Sequence, residues 1–344
     1  MTIAAIFGCA GPALSRTEAA FFRDAQPWGF ILFGRNIETP DQVRRLTEDL
    51  RGAVARADAP VLIDQEGGRV ARLRPPHWRR YPAGAAYARL AETDPAHAGE
   101  MAWLGGRLIA HDLFALGVNV DCAPVLDVPQ PGAHDVIGDR ALGDSPGLVA
   151  RLARRFALGL TAGGVSPVFK HIPGHGRAMA DSHETLPETD ASQAELEATD
   201  FAPFRALADQ AMAMTAHVVY RALDPERPAT ISPTVIGEVI RGRIGFSGLL
   251  MTDDLSMKAL GGTFSERTTA ALAAGCDIVL HCNGDPDEMA AVAGAAHGLD
   301  GASAERARRA LARVAGGPES FDQEDGRRRF ESVFGAAFAT SHSP

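Results

Sequence analysis

The sequence predicts an α/β fold, a single (β/α)8 barrel, and three observations carry that prediction. Eight short apolar runs alternate with longer stretches of helical periodicity. The first run is followed by "GCAGPALS", which lacks the G-x-G-x-x-G turn of an open, doubly wound sheet. A length of 344 residues, 46% of them apolar, suits the core of one barrel.

The elements follow in order. Strand one is "IAAIFGC" from Ile3, whose apolar stretch is too short, and its flank not basic enough, for an export signal. Strand two is "GFILFG" from Gly29. After it, "TPDQVRRLTEDLRGAVARA" from Thr39 reads as a helix capped by Thr39, with Pro40 in the first turn. Strands three, four and five are "APVLIDQ" from Ala59, "VNVDCAPVLDV" from Val118 and "VSPVFKH" from Val165. "ASQAELEATDFAPFRALADQ" from Ala191 reads as helical ahead of strand six, "AMAMTAH" from Ala211. Strand seven, "GLLMTDD" from Gly248, leads into the helix "SERTTAALAAG" from Ser265. Strand eight, "CDIVLHC" from Cys276, precedes a closing helix, "SAERARRALARVAG" from Ser303. The barrel domain is expected to span residues 1–315, leaving 316–344 as a tail packed on the surface or partly disordered.

Bulk properties exclude several functions. A formal charge of -9 argues against nucleic-acid binding, and the arginines of "RRY" and "GRRRF" sit among acidic residues. No apolar run approaches the roughly 18 residues of a membrane helix. The 4 cysteines show no C-x-x-C spacing, so buried, reduced thiols and a cytoplasmic setting are expected.

Chemistry in such a barrel collects where strands end. Five of the apolar runs end in Asp64, Asp127, Lys170 with His171, His217, and Asp253 with Asp254. A charge that finishes an apolar strand is costly unless paired or used. Asp127 reads as a brace, and His217 serves equally well as a satisfied core histidine. Neighbouring strand residues face opposite sides, so one of Asp253 and Asp254 is expected in a common pocket. The stretch "KHIPGHGRAMADSH", residues 170–183, admits three chemistries. A metal site would use His171, His175 and His183 with Asp64 or Asp253, but the spacing fits no tight ligand motif and Lys170 repels a cation. A phosphate cradle lacks its G-K-[ST] ending. A sugar-cleaving site needs a carboxylate nucleophile, a proton donor and dense hydrogen bonding, and the chain supplies all three.

In "DQEGGRVARLR", "APVLDV", "IGDRALGDSP", "KHIPGHG", "DSH", "MTAH" and "TDDLSM", in that order, the chain resembles the family 3 glycoside hydrolases. The likeness covers residues 9 to 283 and is to the single-domain bacterial β-N-acetylglucosaminidases. It departs at Ile172, where phenylalanine is frequent, at Thr252, where serine is usual, and in "RAL" after Asp139. The resemblance implies Asp253 as nucleophile, His183 as acid/base with Asp181 orienting it, and Asp64, Arg72, Arg140, Lys170 and His171 as the groups that hold the sugar. It implies no cofactor and no metal, a monomer, and a small sugar as partner: N-acetylglucosamine linked β-1,4 to anhydro-N-acetylmuramic acid peptides. A phosphorylase, a β-glucosidase or xylosidase, a metal-dependent barrel hydrolase, a hexosaminidase using the substrate's acetamide and a non-catalytic sugar-binding barrel stay open. The physics agrees with the first reading. Asp181 and His183 share one side of an extended segment, Lys170 or the arginines would keep Asp253 ionised, and Gly174 and Gly176 would free the loop to swing.

Overall fold

Eight parallel strands close into a barrel in the computed structural model, which describes residues 1–178 and 186–335. They are β1 (Ile3–Gly8), β2 (Pro27–Leu32), β3 (Val61–Ile63), β4 (Val120–Asp121), β5 (Ser166–Ile172), β6 (Met212–Thr215), β7 (Leu249–Asp254) and β8 (Ile278–His281). Each pairs with the next in sequence, and β8 pairs with β1. All the strands read from the sequence are present, in order.

Alternation of side chains builds the interior. Ile6, Ile31, Leu62, Val120, Val168, Met212, Leu249, Met251, Ile278 and Leu280 fill the barrel. Their neighbours Phe7, Phe30, Ile63, Phe169, Leu250 and Val279 face outward and bury themselves against the helices. The strand from Val118 is shorter than its apolar run because Pro124 has no N–H to donate. Pairing resumes beyond it, where Leu126 N donates to Lys170 O at 2.7 Å. At the N-terminal end of the strands, Ala307 and Ala310 of the helix Gly301–Ala312 pack among the inward-facing residues and form a floor.

Two helical expectations need correction. The segment from Ala191 is not one helix but two short ones, Gln193–Ala198 and Phe201–Ala206. Pro203 has no N–H for the Thr199 carbonyl and is tolerated only in a first turn, so the helix must restart. Between the two, buried Asp200 receives the Arg177 Nε at 2.6 Å. The helix from Ser303 does not close the series either, because Gln323–Phe334 forms another. Its Phe330 is buried against Tyr81, 6.2 Å between ring centroids, and Tyr87, 6.4 Å. The arginine clusters are consumed here: Arg79 pairs with Glu331, Arg329 with Glu100, and Arg327 with Asp112 at 3.4 Å.

Phe330→Ala is expected to cost about 3 to 5 kcal/mol, the usual range for emptying a buried aromatic site. Urea unfolding followed by circular dichroism reads it directly, and a midpoint equal to wild type would show that the last helix adds nothing.

Candidate active site

The inward rows end in polar groups at the C-terminal mouth of the barrel. Leu62 is followed two residues later by Asp64, Val168 by Lys170, and Met251 by Asp253. All three polar side chains line one cavity of about 150 Å³, with Arg72, Arg140, His171 and His175. Lys170 and His171 are adjacent yet both reach it, because the β5 register shifts between Lys170 and Ile172. A similar shift between Met251 and Asp254 brings Asp254 to the wall beside Asp253. Strict alternation therefore misjudges this end of β7. Such irregularities re-aim side chains at the rims of barrels. The two aspartates nonetheless divide their work. Asp254 accepts from Ser256 N at 3.0 Å and Cys282 N at 3.1 Å, whereas Asp253 accepts from Asp254 N at 2.8 Å and faces the cavity.

"DQEGGR" is a hairpin built for this mouth. Gln65–Gly67 pairs antiparallel with Val70–Ala71, and Gly67 and Gly68 turn the chain at φ 100° and 57°. Buried Gln65 Oε1 accepts from Arg72 N at 2.8 Å and Leu73 N at 3.0 Å. Arg72 Nη2 thereby returns to Asp64 Oδ2 at 3.2 Å. Glu66 reaches across to Lys170 Nζ at 2.6 Å and to Arg140 through Nε at 2.9 Å and Nη2 at 2.8 Å. Lys170 Nζ also donates to Asp64 at 2.7 Å. Burial opposes ionisation of both carboxyls. Lys170 with Arg72 holds Asp64 well below the usual range, and Arg140 with Lys170 brings Glu66 down to about 2. Sequence reasoning missed Glu66; the alternation of "DQEGG" carried no signal for a residue lifted off the strand by the hairpin.

Asp127 organises the "KHIPGH" segment. It is fully buried, and its Oδ1 accepts from His171 N at 3.2 Å and His175 N at 2.7 Å. Its Oδ2 lies 2.7 Å from His171 Nδ1, which leaves His171 Nε2 facing Asp253 Oδ2 at 4.0 Å. Burial pushes the Asp253 carboxyl up, but His171 first, then His217, the Asp254 N–H and Lys170 bring it below its ordinary value. The histidines, rather than Lys170 or the arginines, lead that effect. His217 is buried with Nδ1 2.7 Å from Thr230 Oγ1 and Nε2 3.0 Å from Asp254 O, a core histidine that also braces the β7 end. His175, which the sequence offers only as a metal ligand, also lines the cavity. It is buried, its Nδ1 has no partner among the described residues, and burial and the charge of His171 push it down to about 4.

Gly174 and Gly176 allow close approaches of the backbone. Gly174 has φ 140° and a Cβ there would press on Asp200, while one on Gly176 would strike the Val128 carbonyl. Asp181 and His183 lie outside the described residues. Among the described residues, no group of three or more His, Cys, Asp and Glu could hold a metal ion.

Residues 6–316 match the family model described as the glycosyl hydrolase family 3 N-terminal domain. A β-hexosaminidase of Alkalilimnicola ehrlichii is 42% identical over 291 residues, 83% of this chain and 82% of that protein. One of Pseudomonas aeruginosa is 41% identical over 276 residues, 79% and 80% of the two chains. The crystal structure of native NagZ from Neisseria gonorrhoeae superposes with a TM-score of 0.84 at 33% identity, covering 100% of this chain and 98% of that one. A structure of that protein in complex with N-trifluoroacetyl-D-glucosamine also gives 0.84, at 32% identity and 96% coverage of each chain.

Glu66→Gln is expected to lower stability by about 3 kcal/mol at neutral pH, since two buried cations lose their shared carboxylate. The depressed pKa of Glu66 means its contribution is complete above the unfolded value near 4.5 and disappears as pH falls toward 2. Urea melts of both proteins should therefore converge between about pH 5 and 2. A gap independent of pH over that window would show that the carboxylate's charge is not what matters.

Proposed function

The chain belongs to glycosyl hydrolase family 3 as a β-hexosaminidase, and from that premise we propose a retaining exo-β-N-acetylglucosaminidase that works through a covalent glycosyl-enzyme. The observation that carries the proposal is an ionised, cavity-facing carboxylate, Asp253, opposite a cluster of fixed hydrogen-bonding charges. In the closed ring, β7 and β3 stand four places apart, so Asp253 and Asp64 face each other across the mouth.

Asp253 attacks the anomeric carbon as the bond to the leaving oxygen breaks, and water later displaces the carboxylate, so configuration is retained. The backbone N–H of Asp254 and the imidazole of His171 steady its charge before attack. Asp64, Arg72, Arg140, Lys170 and His171 hold the N-acetylglucosamine ring, and Glu66 keeps Lys170 and Arg140 in place. His183 protonates the departing oxygen and then takes a proton from water. An imidazole with an ordinary pKa near 6.5 exchanges those roles at neutral pH. Asp181 accepts the other imidazole N–H and stabilises the cation, as an aspartate does for histidine in serine hydrolases. The parts assigned to His183 and Asp181 rest on the "DSH" motif.

The natural substrate in this reading is N-acetylglucosamine linked β-1,4 to anhydro-N-acetylmuramic acid peptides, released in cytoplasmic recycling of peptidoglycan. A monomer suffices, since every group named comes from one chain. No metal or cofactor enters any step.

Three outcomes are expected. A fluorinated N-acetylglucosaminyl donor should label the peptide containing Asp253, as read by mass spectrometry; inactivation without an adduct there would point instead to the substrate's acetamide. His183→Ala should slow a natural disaccharide by about 10² to 10⁴-fold while an aryl glycoside with a good leaving group is far less affected. Cleavage of the 4-nitrophenyl N-acetylglucosaminide should exceed that of the matching glucoside and survive EDTA, and a loss on chelation would contradict the mechanism.

A further inference from the structure

Two ties join the hairpin after β3 to the loop after β4. The inner one, Glu66 to Arg140, is buried beside the mouth cavity. The outer one is Arg69, whose side chain is 45% exposed and lies outside the cavity lining. We infer that Arg69 is a positioning residue, a latch that holds the loop after β4 against the sugar pocket; the inference rests on the function proposed above.

The loop is held unevenly. Its first half is fixed by backbone bonds to the chain that follows β5: Gln130 N donates to Gly176 O at 3.0 Å and His134 N to Ala178 O at 2.9 Å. Residues 135–139 make no such bond to another element among the described residues. Yet this half brings Val136 and Ile137 to the cavity wall and leads into Arg140. Packing of Ile137 with Val125 and Ala141 seats it only from the inner side.

Arg69 supplies the outer hold. Its Nη2 donates to the carbonyls of Asp135 at 2.6 Å, Val136 at 2.9 Å and Ile137 at 3.3 Å, and its Nε lies 3.2 Å from Asp139 Oδ1. Three successive carbonyls aimed at one point repel each other, and a charged donor between them turns that repulsion into charge-assisted bonds. Gly138, at φ 43°, folds the chain back so that they converge, and a Cβ there would strike the Asp135 carboxylate. On the hairpin side, Gly67 and Gly68 turn the chain directly ahead of Arg69. The ion pair with Asp139 is exposed on both partners and adds little stability by itself. What the latch fixes is position. Arg140 Nη1 donates to the same Val136 carbonyl at 3.1 Å, so a shift of the turn passes straight to a group that holds the sugar.

The test compares Arg69→Ala with the wild type. KM for 4-nitrophenyl N-acetylglucosaminide, and the Kd of N-acetylglucosamine by calorimetry, should each rise about 10-fold. Labelling of Asp253 at a saturating fluorinated donor should stay within about 3-fold of the wild-type rate, because the supports of that carboxylate are untouched. Unchanged KM and Kd overturn the inference, whatever happens to the urea midpoint, and so does a loss confined to kcat. Hydrogen exchange adds an arm that needs no turnover. In the variant the amides of Arg140 and Ala141 should exchange about 10-fold faster or more, and equal exchange in the two proteins overturns the latch. A wild type that neither binds N-acetylglucosamine nor cleaves the glycoside removes the functional reading instead, and the exchange alone then decides the latch.

Discussion

Lys170 holds one buried ammonium between two carboxylates, Asp64 at 2.7 Å and Glu66 at 2.6 Å, and the whole mouth of the barrel depends on that bridge. Desolvating each of these ions costs several kcal/mol, which only close and multiple pairing offsets. The pairing continues outward on both sides, through Arg72 on Asp64 and Arg140 on Glu66. It thereby ties the hairpin after β3, the end of β5 and the turn Gly138–Arg140 into one rigid rim. Rigidity is what a sugar site requires, since donors and acceptors fixed beforehand spend less of the binding energy on ordering. Of the rim's cations Lys170 also acts on Asp253, behind His171 and His217.

A second constraint acts at one remove. Asp127 touches no solvent, yet it sets the backbone at His171 and His175 and the ring of His171 at once. Asp253 and the charged groups of the rim therefore share a support. On one side His171 stands between Asp127 and Asp253, and on the other the neighbouring Lys170 stands between Asp64 and Glu66. His217 plays a comparable part, holding the Asp254 carbonyl next to Asp253.

Much of this was legible in the residues. All eight strands were, because each is an apolar run bounded by turns, and so were the inward ends at Asp64, Lys170 and Asp253. Asp253 shares the parity of Leu249 and Met251, so the inward row itself points to it. Glu66 was not legible, and His175 only as a candidate metal ligand, since a hairpin and a tight turn carry them into the cavity where strand periodicity no longer applies. The joint arrival of Lys170 and His171 depends on a register shift that no local pattern announces. The last helix could have been found: Phe330, Val333 and Phe334 repeat at helical spacing, but the arginines and acids between them lower the local apolar signal. Pro203 announces the break at Asp200.

The alanine-lined floor under the strands has a consequence for traffic. With Ala307 and Ala310 packed beneath an interior filled by Ile6, Leu62, Val120 and Met251, the barrel offers no passage from top to bottom among the described residues. Arriving glycan, departing fragment, incoming water and freed monosaccharide all share a single doorway. Under the two-step displacement proposed above, the order of these crossings is set by who blocks whom: the leaving piece must clear the threshold before water can enter, and the spent sugar goes last.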